Sequence, residues 1–186
     1  MDEMEMTVAY HCAPALAGIK PSNLVSFCGK KHPGLDSRLA AWNEQLNPAG
    51  IYFEKICNCK KRVLVLVYRR KKLEGLLADR GIRAELLEAG YPVNEGLEAV
   101  IGHLKTRLSA GGGFPHEVGL FLGYPLEDVH GFMQSGGRDY KLNGYWKVYS
   151  DEEKAKELFY RYTKCRKAVC ARMGMGMSIA RLFAAA

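Results

Sequence analysis

Ile51-Tyr52-Phe53-Glu54-Lys55-Ile56 and Arg62-Val63-Leu64-Val65-Leu66-Val67-Tyr68 are two runs rich in β-branched and aromatic residues, joined by the short stretch Cys57 to Lys61. That composition and spacing predict an antiparallel hairpin over about 51–68. Upstream, Asn23 to Phe27 reads as a short apolar strand. Asp36 or Ser37 is placed to cap a helix running to Leu46, with Leu39, Trp42 and Leu46 on one face and Asn47, Pro48 and Gly50 beyond its end. Cys12 to Lys20 reads as a short helical turn, with Pro14 suited to an early position and Gly18 to the end.

Downstream, a helical run over Lys71–Ala89 is interrupted by Gly75 and Gly81, so it forms one helix or two. Asn94 is expected to cap a helix to Leu108 whose apolar face holds Leu97, Val100, Ile101, Leu104 and Leu108. Pro115–Leu122 and Pro125–Met133 read as two short helices meeting at a sharp corner, Gly123-Tyr124. Tyr145 to Tyr149 reads as a strand, and Ser150 as the cap of a long last helix from Asp151. Helices with a few antiparallel strands and no regular βαβ alternation predict an α+β fold: a small antiparallel or mixed sheet (the hairpin plus strands at about 23–27 and 145–149) packed by several helices. With 186 residues and no convincing linker or repeat, residues 1–186 are expected to form a single domain.

The apolar run Val63–Tyr68 is far shorter than the roughly 20 residues a membrane span requires. Asp2, Glu3 and Glu5 stand where a secretory signal needs a basic region, so a cytosolic location without membrane contact is expected. Without an oxidising compartment, the six cysteines (Cys12, Cys28, Cys57, Cys59, Cys165, Cys170) are expected to be reduced thiols or ligands.

The formal charge of +7 favours an acidic partner. Basic residues gather over Lys55–Lys72, which contains Lys60, Lys61, Arg62, Arg69 and Arg70 and no acid, and over Lys154–Arg172, where Glu157 is the one acid. The first cluster, with Tyr52, Phe53 and Tyr68 nearby for stacking, is the candidate polyanion-binding face. Equally, such charges flank a very apolar strand, where they suppress aggregation.

A second candidate is thiol chemistry. A cysteine at the start of a helical turn is favoured as thiolate, a histidine can serve as its base, and a carboxylate can orient the imidazole. Cys12 as nucleophile, His116 as base and Glu117 or Asp128 as orienting acid would make an enzyme acting on an amide or thioester. Adjacent helical residues diverge by about 100°, which favours Asp128 (or Glu127) over Glu117 as the orienter. The alternative reading is a non-catalytic binding protein whose basic faces meet an acidic protein, nucleotide or nucleic acid. A metal site from Cys57 and Cys59 with Cys165 or Cys170 is disfavoured by a spacing shorter than C-x-x-C and by the divergence of the last two on a helix. Gly111 to Gly113 carry neither nucleotide-binding glycine pattern, so no cofactor is assigned.

Several longer motifs stand together: His11-Cys12-Ala13-Pro14 with Gly18-Ile19-Lys20-Pro21, Phe114-Pro115-His116-Glu117, Leu120-Phe121-Leu122-Gly123-Tyr124-Pro125-Leu126-Glu127-Asp128-Val129, and Gly144-Tyr145-Trp146-Lys147-Val148-Tyr149. In this combination the chain resembles an uncharacterised family, DUF 3793, found largely in clostridia-like bacteria. The resemblance covers nearly the whole chain and implies no activity, cofactor or catalytic residue.

Overall fold

In the computed structural model, which describes residues 2–58, 62–110 and 114–184, the hairpin forms as its sequence predicts. Strands β2 (Ile51–Asn58) and β3 (Val63–Arg69) pair antiparallel, and β1 (Ser22–Phe27) pairs antiparallel with the other edge of β3, giving the order β1-β3-β2. The uninterrupted apolar run of β3 follows from its central position. Its side chains alternate between faces, with Val63, Val65 and Val67 in one core and Leu66 and Tyr68 in another.

Helices cover both faces, so the sheet is the middle of three layers. On the first face lie α1 (Glu3–Leu16), α2 (Leu35–Leu46), the long α8 (Glu152–Gly174) and α9 (Ile179–Phe183), contributing Leu16, Trp42, Val169 and Ile179. On the second lie α3 (Arg70–Leu77), α4 (Arg80–Glu88), α5 (Leu97–Ser109), the single turn α6 (Val118–Phe121) and α7 (Leu126–Ser135), contributing Leu73, Leu86, Leu104, Phe121 and Val129. The fold is α+β.

The structure departs from sequence expectation at several element ends. The helix expected to begin near Cys12 starts nine residues earlier at Glu3, because Asp2 caps it by accepting from the backbone N–H groups of Met4 (2.9 Å) and Glu5 (3.4 Å). Pro14 therefore sits in the last turn instead of the first. The Lys71–Ala89 run divides into α3 and α4, with Asp79 capping the second through Gly81 and Ile82. Helix α5 opens after Gly96, and Asn94 instead accepts a bond from Arg83. Asp151 rather than Ser150 caps α8, accepting from Lys154 N–H at 3.0 Å.

The expected strand 145–149 is not part of the main sheet. Only Lys147–Val148 (β5) is extended and paired, and its partner is Leu142–Asn143 (β4), in a separate two-stranded ribbon. This ribbon packs on α8 through a third cluster of Trp146, Val148, Ala155 and Tyr162.

Candidate ligand-binding cleft

The corner between α6 and α7 fixes the ribbon's position. Gly123 has φ +71°, and a Cβ there would lie 2.7 Å from Pro21 Cγ, so both its backbone and its surroundings require glycine. The turn it makes presents Tyr124, whose ring stacks on Trp146 with centroids 4.9 Å apart and whose hydroxyl donates to Tyr145 O at 3.3 Å. From α7, Asp128 reaches the ribbon. Its Oδ2 accepts from the Trp146 indole N–H at 2.7 Å, and its Oδ1 accepts from the backbone N–H groups of Tyr149 and Ser150, both at 2.8 Å. With 2 % of its surface exposed, this carboxyl is a buried clasp between helix and ribbon.

A cleft of about 320 Å³ remains between the corner and the ribbon. Phe114, Phe132, Tyr124, Tyr145 and Trp146 supply aromatic wall. Lys147 lies along it, donating to Gly137 O at 2.5 Å and standing 5.8 Å and 4.9 Å from the ring centroids of Phe132 and Tyr140. Lys147 makes no ion pair among the described residues. His116 is exposed at the rim, its ring 5.1 Å from that of Phe132. Apart from Asp128, whose oxygens already hold three donors, the charged side chain lining the cleft is Lys147, with the neutral amide of Asn143 also in the wall.

The four residues proposed for thiol chemistry are not assembled. Cys12, expected at a helix start, lies in the second half of α1, completely buried in the first core. Burial pushes its thiol pKa well above the ordinary range, and nearby Lys20 only partly opposes this. A thiol so placed is held protonated, the opposite of what a nucleophile needs. His116 stands at the cleft, which Cys12 does not line. Glu117 is buried and accepts from the Tyr91 hydroxyl (3.2 Å) and from Arg107 Nε and Nη2 (3.0 and 2.9 Å), while Asp128 is the clasp described above. No hydrogen bond among the described residues joins either acid to His116.

The expected polyanion face is also rearranged. Lys60 and Lys61 lie outside the described residues, and Arg62 is exposed. Arg69 points inward instead, its guanidinium donating to the carbonyls of Ala49 (2.9 Å), Ala15 (3.4 Å) and Leu16 and so capping the end of α1. Arg70 pairs with Glu74 at 2.9 Å and Glu98 at 2.5 Å and lies over the Tyr52 ring. Of the cysteines weighed as ligands, Cys59 is outside the described residues, Cys57 is buried, and the Cys165 thiol donates to Ala13 O at 3.5 Å. Among the described residues, no group of three or more His, Cys, Asp or Glu is placed to hold a metal.

Sequence reasoning missed Lys20. Its ammonium stands 5.0 Å and 5.9 Å from the ring centroids of Tyr124 and Tyr162, the residue is 2 % exposed, and burial lowers its pKa from 10.5 to about 8. It also read the cleft aromatics one at a time. A collective signal was present: eight of the chain's nineteen Phe, Trp and Tyr residues fall in 114–149, about a fifth of its length.

A family model described as "Protein of unknown function (DUF3793)" matches residues 8–183. No curated protein and no solved structure matches the chain.

Proposed function

Because the chain belongs to the DUF3793 family, described only as of unknown function, kinship supplies no activity, and we propose from the cleft that this is a non-catalytic protein binding a small planar aromatic anion. One observation carries this reading: five aromatic side chains converge on one concave space beside Lys147, a cation with no carboxylate partner among the described residues. Ring faces stack on flat ligands of many kinds, and a few fixed polar groups select among them. The Asp128 carboxylate is already bound by three N–H donors, so the polar side chains a ligand meets include Lys147, His116 and the neutral amide of Asn143. They favour a carboxylate or phosphate attached to the ring system, as in a nucleotide.

The volume of about 320 Å³ falls at the lower end for small-molecule pockets, which suits a ligand of one or two fused rings. Thiol catalysis finds no matching support, since its nucleophile is buried in a different core from the cleft. The test uses Trp146 fluorescence in a Trp42→Phe background, where Trp146 is the remaining tryptophan. AMP and indole-3-carboxylate should quench it saturably, benzamidinium should not, and Lys147→Met should weaken the anions at least about tenfold. Equal response to cation and anion, or quenching indifferent to Lys147→Met and Phe132→Ala, refutes the reading.

A further inference from the structure

Beyond Glu157 the chain has no acidic residue, yet it has six cations: Arg161, Lys164, Arg166, Lys167, Arg172 and Arg181. None of them makes an ion pair among the described residues. Three of the six, Arg161, Lys164 and Arg172, border one groove of about 470 Å³ formed by α8, α9 and the connection after α1. The groove's floor is apolar, with Ile19, Ala168, Leu182 and Phe183 among its residues. This surface lies apart from the aromatic cleft, with which it shares no lining residue.

We infer that this groove docks an acidic amphipathic helix of a partner protein. Charge complementarity and shape together point to that occupant. From Arg161 to Arg172 the rim runs eleven residues along α8, about 17 Å at 1.5 Å per residue, or three helical turns. Cations distributed over that length match carboxylates distributed along a peptide, whereas the single head group of a fatty acid engages one of them. A nucleic-acid backbone would engage the rim but leave the apolar floor uncovered, and a membrane surface does not enter a concavity. A helix with apolar residues at i, i+3, i+4 and i+7 and acids on its flanks satisfies floor and rim together.

The probe is an amidated, fluorescein-labelled peptide of about fourteen residues with Leu at those spacings and Glu on both flanks. Its fluorescence anisotropy with the full chain should report saturable binding that weakens as salt rises. Arg161→Glu with Lys164→Glu should weaken binding at least about tenfold, whereas Lys167→Glu, on α8 but outside the groove lining, should change it less than about threefold. Ala168→Tyr fills the groove without altering charge. Ala168 is exposed, so the variant keeps its fold, and it too should lose binding at least about tenfold. Equal binding of a peptide with Lys in place of Glu overturns the proposal. So does binding indifferent to Ala168→Tyr, which would mark unspecific charge attraction, or capture by phosphatidylserine vesicles with none by the peptide.

Discussion

Replacing Lys20 by Met should stabilise the protein, although it removes a charged side chain that contacts two rings. At about 1.4 kcal/mol per tenfold change, the fall in pKa from 10.5 to about 8 means that keeping Lys20 charged in the fold costs about 3 kcal/mol at neutral pH. The Tyr124 and Tyr162 ring faces act in the other direction, by about 0.5–2 kcal/mol for a desolvated cation. A net gain of about 1–3 kcal/mol is expected for Lys20→Met, whose unbranched apolar chain fills similar space. The pH dependence is the sharper signature. Between about 8 and 10.5 the unfolded chain binds a proton at Lys20 that the folded chain does not, so wild-type stability rises with pH across this window. Below about 8 both states are protonated and the penalty is complete. Urea unfolding followed by circular dichroism at pH 7, 9 and 10.5 should therefore show the advantage of Lys20→Met shrinking as pH rises. A variant less stable than wild type at pH 7, or an advantage constant with pH, would show that Lys20 is not buried as a strained cation.

Arg69→Met should destabilise by about 2–4 kcal/mol, because three carbonyls at two chain crossings lose a charged donor; chemical denaturation measures it. In native protein Cys12 should resist 5,5′-dithiobis(2-nitrobenzoate) while Cys28 and Cys170 react, and His116→Ala should leave that protection unchanged; rapid labelling of Cys12, read by peptide mass mapping, would revive thiol chemistry. Gly131→Ala should lower the melting temperature despite alanine's better helix propensity, since its Cβ would lie 2.4 Å from Tyr149 Cγ. Asp128→Asn and Trp146→Phe should each destabilise by about 1–3 kcal/mol. In a double-mutant cycle they should couple by at least about 1 kcal/mol, and simple additivity would deny the clasp.

The fold was legible wherever a local pattern had one strong interpretation. The hairpin, β1 and the apolar face of α2 declare themselves through β-branched runs and through Leu39, Trp42 and Leu46 at helical spacing, and all three are buried as that spacing implies. Helix starts were less legible because a cap is a competition among neighbouring polar residues. Asp151, not Ser150, accepts from the Lys154 N–H, while the Ser150 N–H is held by Asp128, a partner twenty-two residues away that no local pattern reveals. The Tyr145–Tyr149 run illustrates the same limit. Its composition suits a strand, but the partner available is the two-residue segment Leu142–Asn143, so only Lys147 and Val148 pair with it.

For the candidate site, residue type proved a weaker guide than surroundings. Cysteine, histidine and two acids can be arranged on paper as a nucleophile, base and orienter, yet three of them are fixed here by what encloses them: Cys12 by the first core, Glu117 by Tyr91 and Arg107, and Asp128 by Trp146 and two amides. Of the four, only His116 is exposed, and the surface it borders is aromatic. The basic residues follow the same logic in reverse. Arg69 and Arg70, conspicuous in a run without acids, find internal carbonyls and the distant acid Glu98, whereas on α8 Lys156 pairs with Glu152 and Glu153 but the cations from Arg161 to Arg172 meet no carboxylate among the described residues. A cation's availability to a partner thus depends on acids brought near it by folding, and local charge density in the sequence measures only half of that balance.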